Sequence, residues 1–171
     1  TQEGDDGVRR LAVIDYSKPS SDQRMWVFDL SAAKLLHLER VAHGRGTGEN
    51  LSEHFSNRPG SHQSSLGLFR TRETYMGGNG YSLRLEGLDP GFNDRARERA
   101  IVIHGASYVS DATVKVRGGV GRSHGCPAVR EEIARTLIDT IKEGQYLFAY
   151  FPDGQWLNKS TILSCKVPRS G

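Results

Sequence analysis

Cysteine, long apolar runs and an excess of one charge are all scarce in this sequence of 171 residues. Its only cysteines are Cys126 and Cys165, so the chain has neither a framework of several disulfides nor the paired C-x-x-C spacing of many zinc sites. The 23 basic and 20 acidic residues leave a net charge of +3, and the basic residues are dispersed. Nucleic-acid-binding proteins usually concentrate basic residues on one face, so we expect no nucleic-acid partner.

No apolar run approaches the roughly 20 residues of a transmembrane helix, which predicts no integral membrane segment. The first residues, TQEGDD, show neither the basic nor the apolar region of a secretory leader. Gly44, Gly46 and Gly48 match neither the dinucleotide motif G-x-G-x-x-G nor a phosphate-binding P-loop. The sequence therefore predicts no nucleotide cofactor, and composition alone does not indicate where the protein resides.

The length and the 36% apolar content fit one globular domain, which we place at residues 11–165, between flexible tails at 1–10 and 166–171. Apolar runs or alternation predict strands in seven segments: 11–16, 25–30, 35–42, 66–75, 81–88, 101–104 and 145–152. In the second of these, Trp26, Phe28 and Leu30 share one face, which predicts a half-buried strand with this apolar face inward. The pattern predicts a mainly β fold, that is, a β-rich α+β class.

One segment has clear helical spacing. Ile133, Leu137, Ile138 and Ile141 recur at helical intervals, and Gly144 is a typical stop. A shorter helical piece is expected near residues 94–99, and a strand fragment after a turn at Asp153 and Gly154.

The polar stretch 43–65 has no periodicity. Loops of this size are uncommon in compact domains unless they bind or cover something, so we expect it to form a wall of a substrate cleft or, equally, a mobile surface loop.

The segment from Ile101 to Arg130 carries the strongest functional pattern. His104 follows an apolar strand, and the run Ser123-His124-Gly125-Cys126 follows a Gly-rich basic loop. A nucleophilic cysteine needs a base or a lowered thiol pKa, together with N–H donors for the oxyanion. His104 is a candidate base, and the glycines beside both residues leave space for a substrate. Cys126 also precedes the predicted helix, whose N-terminus favours a thiolate if it lies close.

Two other interpretations of these residues remain open. His104, His124 and Cys126 are also possible zinc ligands, although no fourth ligand stands out. Cys126 and Cys165 are a possible disulfide, but it would consume the nucleophile, so we expect two free thiols and no metal or organic cofactor.

The motif resembles that of the L,D-transpeptidases of the YkuD type. His104 is followed by 18 residues and then by Ser123-His124-Gly125-Cys126, whereas the family has a slightly shorter gap before Ser/Thr-His-Gly-Cys. GASYV after His104 and the final CPAVR are similar to the branch described as murein L,D-transpeptidase catalytic domains. The likeness extends roughly over residues 25–151. The sequence departs from the family pattern after Cys126. Here Pro127-Ala128-Val129 precede Arg130, whereas many members have one apolar residue and then Asn or Arg.

The resemblance implies a role for each residue of the motif. Cys126 is expected to be the acyl-accepting nucleophile, His104 its general base, and His124 a supporting residue. The backbone around Ser123 and Gly125, with Gly105 beside the base, is expected to support the oxyanion. The basic residues of the loop suggest two weaker candidates for binding substrate carboxylates, Arg117 and Arg122, which solvated surface explains equally well. Arg130, which stands after the departure from the family pattern, is a third weak candidate.

The resemblance also implies a fold and a reaction. The fold is a mixed-sheet sandwich with one long helix after the cysteine. The reaction is a transfer through a thioester on peptidoglycan tetrapeptide stems with release of D-alanine, in the cell envelope, by a periplasmic or secreted protein that we expect to be a monomer. A cysteine hydrolase acting on stem or protein-to-diaminopimelate bonds is the alternative. A wall-binding module without turnover is a third hypothesis.

Overall fold

The computed structural model describes residues 7 to 164, and most of them are organised by one mixed β-sheet of eight strands. The strands, in chain order, are β1 (Arg10–Asp15), β2 (Met25–Asp29), β3 (Lys34–Glu39), β4 (Gly67–Gly77), β5 (Gly80–Gly87), β6 (Val102–Gly105), β7 (Ala128–Val129) and β8 (Tyr146–Tyr150). Their order across the sheet is β3-β2-β1-β8-β4-β5-β6-β7. Strands β1 to β3 form one half of the sheet and strands β4 to β7 the other. Strands that are neighbours in sequence pair within each half, and β8 lies between the two halves.

The two halves are joined through parallel and antiparallel pairing of β8. Strand β1 runs parallel to β8, with Leu11 opposite Tyr146, and β4 runs antiparallel to it, with Leu68 opposite Phe148. At the far edge, β6 pairs antiparallel with β5 and parallel with the two-residue strand β7. The last pairing sets His104 beside Ala128, two residues after Cys126.

Within residues 7–164, four helices accompany the sheet. They are α1 (Asp111–Arg117), α2 (Glu131–Ile141), α3 (Gly154–Lys159) and α4 (Thr161–Ser164), and a 3-10 turn covers Arg45–Thr47. Helix α1 begins where the Ser110 hydroxyl accepts the Thr113 N–H, and it ends at Gly118, whose φ of 79° closes the last turn. None of the helices in the described part of the chain has the length and apolar character that a membrane span requires.

Helix α2 covers the sheet with one apolar face. Its buried residues, Ala134, Leu137, Ile138 and Ile141, contact strands from both halves, namely β1, β5 and β6. Side chains of β1, β2, β4, β5, β6 and β8 belong to the same buried cluster. Since both halves of the sheet reach one core, the sheet is curled around it.

The β-rich class, the mixed sheet and the long helix after Cys126 are confirmed, with all eight strands in one continuous sheet. The expected strand fragment after Asp153 is wrong, because the Asp153 carboxylate accepts the Trp156 N–H and starts α3 instead. Helix α1 falls in the segment before Ser123 that we interpreted as a Gly-rich loop, and the two-residue strand β7 was not predicted.

Two smaller expectations also differ from the structure. Met25 and Val27 form the buried face of β2, whereas Trp26 lies partly exposed beneath the Lys18 ammonium group and Leu30 is exposed. Arg9 and Arg10, which the sequence placed in the N-terminal tail, are held to the sheet because their N–H groups both donate to the side-chain oxygen of Gln145, and residues 1–6 of that predicted tail lie outside the described residues. The predicted C-terminal tail and Cys165 lie outside the described residues.

Replacing Leu137 by Ala should lower the free energy of unfolding by about 2 to 5 kcal/mol, because the side chain is 0% exposed and its removal leaves a cavity under the sheet. Chemical denaturation measures the change. Leu51→Ala is the matched control, since Leu51 is 55% exposed and its loss should cost about 0.5 kcal/mol or less. Equal losses in both variants would contradict the position of α2 in the core.

Candidate active site

His104 and Cys126 line one pocket at the edge of the sheet. The pocket has a volume of about 400 Å³ and is open to solvent on one side. Strand β6 carries His104 into it, and the loop before β7 carries Cys126. The rest of its lining is polar and basic: Arg45, Asn79, Arg99, Ala100, Tyr108, Arg122, Ser123 and His124. The structure therefore brings together the two residues that the motif separates by more than twenty positions.

The His104 ring is held in one orientation by the backbone. Its side chain is almost fully buried, and Nδ1 lies 2.9 Å from the carbonyl oxygen of Gly105. A carbonyl oxygen only accepts, so Nδ1 carries the hydrogen and donates it. The neutral imidazole then has its lone pair on Nε2, which is the form that a general base needs.

Cys126 carries a free thiol with two backbone contacts. The Val102 N–H donates to Sγ at 3.4 Å, and Sγ lies 3.5 Å from the Ala100 carbonyl oxygen, toward which the S–H points. Burial raises the pKa of the Cys126 thiol above its usual value, and the Val102 N–H and the Arg99 charge oppose that effect. Of the two possibilities that the sequence left open, a lowered thiol pKa or a base, the first is not met, because desolvation is the largest influence on the thiol. A neutral resting thiol makes a base necessary.

The Ala100 carbonyl is aimed at the thiol by a left-handed turn. Residues 94–100 form a helix-like turn that ends in two bonds, from the Ile101 N–H to the Ala96 carbonyl and from the Ala100 N–H to the Arg97 carbonyl. This is the Schellman arrangement, in which the residue after the helix takes a positive φ. Here that residue is Ala100, at φ 54°, where glycine is usual. The turn matches the helical piece predicted near 94–99.

Ser123 organises the nucleophile loop through its own hydroxyl. Its Oγ accepts the Gly125 N–H at 3.1 Å and donates to the Cys126 carbonyl at 2.6 Å. The Ser123 N–H donates to the His43 carbonyl. The Ser123 and Gly125 N–H groups are thus engaged, whereas those of His124 and Cys126 have no partner among residues 7–164. The backbone donors still available to an oxyanion are these last two.

Two segments of the long 43–65 stretch lie in backbone contact with the nucleophile loop. The Arg45 N–H donates to the Ser123 carbonyl, and the Gly46 N–H donates to the His62 carbonyl. A Cβ built on Gly44 would lie 3.0 Å from the Gly125 Cα. The His62 ring stacks on the His124 ring at 4.3 Å between centroids. The stretch therefore forms a wall of the pocket, one of the two outcomes that its sequence left open.

A buried arginine and histidine anchor this wall from behind. Arg24 is 0% exposed and donates to the carbonyls of Val41 and Lys18, to Ser52 Oγ and to Nδ1 of His43. His43 Nε2 in turn lies 2.7 Å from the Glu49 carbonyl and donates to it. Burial, followed by the charge of Arg24, lowers the pKa of His43 to about 4. The neutral His43 ring is thus fixed, and with it the main-chain carbonyl of His43, which accepts the Ser123 N–H.

Gly105 and His124 have positions that their sequence context did not reveal. A Cβ on Gly105 would lie 2.9 Å from the Ala134 Cβ, so this glycine permits the close approach of α2 to β6 rather than leaving room for substrate. His124 is exposed at the pocket rim, consistent with a role other than that of the buried base.

The three predicted arginines lie in three different places. Arg122 lines the pocket and forms an ion pair with Glu49 at 3.0 Å. Arg130 forms a two-pronged pair with Glu39 in a separate depression of about 550 Å³. Arg117 is exposed near the end of α1 and is not part of the pocket lining. The structure brings only Arg122 next to Cys126.

Sequence reasoning missed four residues of this site. Arg24, His43 and Arg99 have no motif of their own, whereas Tyr108 belongs to the run GASYV, which the resemblance included without a role for the tyrosine. Burial, with a smaller effect of Cys126, raises the pKa of Tyr108 to about 12. Among the described residues, no three His, Cys, Asp or Glu side chains form a group that could hold a metal ion.

The neutral, buried His43 should make stability depend on pH. Its pKa is about 4 in the folded chain, below the value of about 6.5 in an unfolded one. Its stabilising contribution is therefore complete above pH 6.5 and declines as the pH falls toward 4. The loss should be on the order of 3 kcal/mol.

Denaturation of the parent and of His43→Gln at pH 7 and at pH 4.5 measures this dependence. The glutamine variant should lose less stability between the two pH values, whatever its stability at pH 7. His54→Gln, at an exposed histidine, is the control and should keep the parental dependence. An unchanged pH dependence in His43→Gln would refute the assignment.

Comparisons with known proteins agree with this geometry. A sequence profile of the L,D-transpeptidase catalytic domain matches residues 1–150. A comparison with curated proteins finds no significant match.

Among solved structures, an L,D-transpeptidase from Mycobacterium smegmatis is 13% identical with a TM-score of 0.52, and the match covers 84% of this chain and 59% of that one. One from Mycobacterium tuberculosis H37Rv is 13% identical with a TM-score of 0.53, over 84% and 58% of the two chains. A fused Zn-dependent amidase/peptidase/peptidoglycan-binding domain-containing protein from Clostridium acetobutylicum ATCC 824 is 18% identical with a TM-score of 0.50, over 83% and 52%.

These structural likenesses show a shared fold, and the chain spans less than two thirds of the length of each of these proteins. The family assignment comes from the sequence profile, which covers most of the chain and includes both His104 and Cys126. The chain belongs to the L,D-transpeptidase catalytic domain family.

Proposed function

We propose that the protein is a peptidoglycan L,D-transpeptidase that works through a thioester on Cys126. The observation that supports this most strongly is the shared pocket of Cys126 and His104, with the His104 proton fixed on Nδ1 by the Gly105 carbonyl. A neutral thiol with a raised pKa needs a base, and a buried histidine with a free Nε2 supplies one. The proposed substrate is the tetrapeptide stem of peptidoglycan, which also places the protein in the cell envelope, periplasmic or secreted.

In the first step, His104 Nε2 takes the thiol proton and Sγ attacks the carbonyl between diaminopimelate and the terminal D-alanine. The oxyanion accepts the backbone N–H groups of His124 and Cys126, which no other described residue uses. The imidazolium then returns its proton to the amine of D-alanine, the C–N bond breaks, and the thioester remains on Cys126.

In the second step, a side-chain amine from another stem attacks the thioester. His104 accepts a proton from this amine, a new amide bond forms, and the departing Sγ is protonated again. Neither step needs a metal or an organic cofactor. The basic lining of the pocket, which includes Arg45, Arg99 and Arg122 but no acidic side chain, suits the carboxylates of a peptide stem.

Hydrolysis of the same thioester by water is the second candidate function. The pocket is open to solvent and His124 is exposed at its rim, so water reaches the site as readily as an amine. The products separate the two functions, because transpeptidation gives a cross-linked dimer and hydrolysis gives shortened or released stems.

Replacing Cys126 by Ala should abolish both the products and the acyl-enzyme, since no other group in the pocket forms a thioester. Mass spectrometry of the intact protein and of the products, after incubation with purified tetrapeptide muropeptides, tests this expectation. Cys165→Ala, at the only other cysteine, is the matched control and should retain full activity. A parent protein that gives neither product nor adduct would support the hypothesis of a binding module.

Replacing His104 by Gln should lower kcat at pH 7 by about 10² to 10⁴, because the thiol loses its base. The deficit should shrink as the pH rises, since hydroxide then ionises the thiol directly. His124→Gln should reduce kcat much less, as its ring lies at the rim and contacts His62. The pH dependence of kcat for the three proteins is the measurement, and a larger loss in His124→Gln would reverse the two assignments.

A further inference from the structure

Arg99 lines the Cys126 pocket, and neither step of the proposed reaction uses it. Its guanidinium makes four hydrogen bonds. Nη1 donates to the Ser56 carbonyl at 2.9 Å and to Ser65 Oγ at 2.7 Å, and Nη2 donates to the Gln63 carbonyl at 2.7 Å and to Ser61 Oγ at 3.2 Å. All four N–H bonds of the terminal nitrogens are therefore directed to residues 56–65, which contain no helix or strand.

The other side of the same guanidinium faces the nucleophile loop. A Cβ built on Gly125 would lie 3.3 Å from Arg99 Nη2 and 2.8 Å from the Gln63 carbonyl oxygen. Gly125 directly precedes Cys126 and has a φ of 121°. Arg99 thus lies between residues 56–65 and the loop that carries the thiol, in contact with both.

The charge of Arg99 is not neutralised by a carboxylate. Its four partners are carbonyl and hydroxyl oxygens, and within residues 7–164 it forms no ion pair. Oxygens of this kind solvate a cation but leave its net charge in place. A half-buried positive charge beside a pocket with no acidic lining favours any anion that forms there.

We propose that Arg99 is a positioning residue with two effects on the nucleophile. It fastens residues 56–65 against Gly125, and its uncompensated charge stabilises the Cys126 thiolate once the proton has left. The proposal relies on the proposed function only in taking Cys126 as the nucleophile.

Other groups that face Cys126 affect its titration as well. They come from several elements and are Tyr16, Arg45, His104, Tyr108, Arg122 and His124. Burial raises the pKa of both tyrosines, so they stay neutral near pH 7. All six groups are retained when Arg99 alone is changed, so a comparison of Arg99 variants isolates its charge.

The test is the pH dependence of alkylation of Cys126 by iodoacetamide, followed by mass spectrometry of the intact protein. Every protein carries Cys165→Ser, so that Cys126 is the only thiol. Arg99→Gln should raise the thiol pKa by about one unit, which lowers the alkylation rate at pH 7 roughly tenfold. Arg95→Gln is the matched control on the same turn, because Arg95 is exposed and makes no side-chain bond to residues 56–65.

A second variant keeps the arginine in place. Ser61→Asp sets a carboxylate beside Nη2, which neutralises the charge while the bonds to Ser56, Gln63 and Ser65 remain. Ser61→Asp should therefore slow alkylation at pH 7, as expected for Arg99→Gln. It provides this test even if Arg99→Gln fails to fold. Arg99→Lys keeps a charge but cannot reach four acceptors, so its thiol pKa should stay near that of the parent while kcat/KM on muropeptides falls.

A parental thiol pKa in both Arg99→Gln and Ser61→Asp, with each protein folded by circular dichroism, would overturn the electrostatic effect. Full kcat/KM in Arg99→Lys would overturn the positioning effect. Alkylation needs no muropeptide, so a protein that proves inactive toward peptidoglycan would still give the thiol pKa. The failure of the proposed function is thus distinguishable from the failure of this inference.

Discussion

Backbone contact between three segments far apart in the sequence is the constraint on which the active site depends. Residues 43–46 form main-chain hydrogen bonds with both Ser123 and His62, and the Gln63 carbonyl lies against Gly125, so the three segments 43–46, 61–64 and 123–126 are in contact. The contact is possible because Gly44 and Gly125 carry no side chain where the segments meet. At Gly125 the backbone also has a positive φ, which disfavours every other residue. The position of the thiol is thus decided in part by residues 43–46 and 61–64, which carry no catalytic group themselves.

Two arginines provide the cross-links that regular secondary structure does not. Arg24 and Arg99 each bind four or more acceptors from loops, and each is satisfied by neutral groups. A guanidinium suits this purpose because its five N–H donors lie in one plane at fixed angles, so one side chain holds several carbonyls at once. Burial lowers the pKa of Arg24 to about 10, which still leaves it charged at neutral pH. The wall of the pocket therefore has fixed positive charges at its back.

The sequence predicted the parts of the fold that depend on local periodicity and the parts of the site that depend on a motif. Alternation located most strands, and helical spacing located α2. The same reasoning failed for β2, where Met25 and Val27 are buried instead of Trp26 and Phe28, because pairing with β1 and β3 decides which face points inward. It failed for α3, where Asp153 caps the helix and the buried Trp156 donates to Asp89, which is far away in the sequence.

The supporting residues of the site were not predictable for a related reason. His104 and Cys126 belong to a recognisable pattern, whereas Arg24 and His43 act through contacts with residues distant in sequence. A buried arginine without a carboxylate has no signature in composition or spacing. Its role becomes visible only when the carbonyls around it are known.

The position of β8 determines when during folding the site is complete. Within the described residues, strands β1 to β3 and β4 to β7 are joined in the sheet through residues 146–150, which pair with β1 across more than 130 positions of sequence. Apart from two single-residue bridges, the described halves have no other strand pairing. Contacts of such long sequence separation form slowly. His43 follows the first half and Cys126 lies in the second, so the two bridges and the pairing of β8 together hold the wall against the nucleophile loop. Until these long-range contacts form, the thiol lacks its full supporting wall.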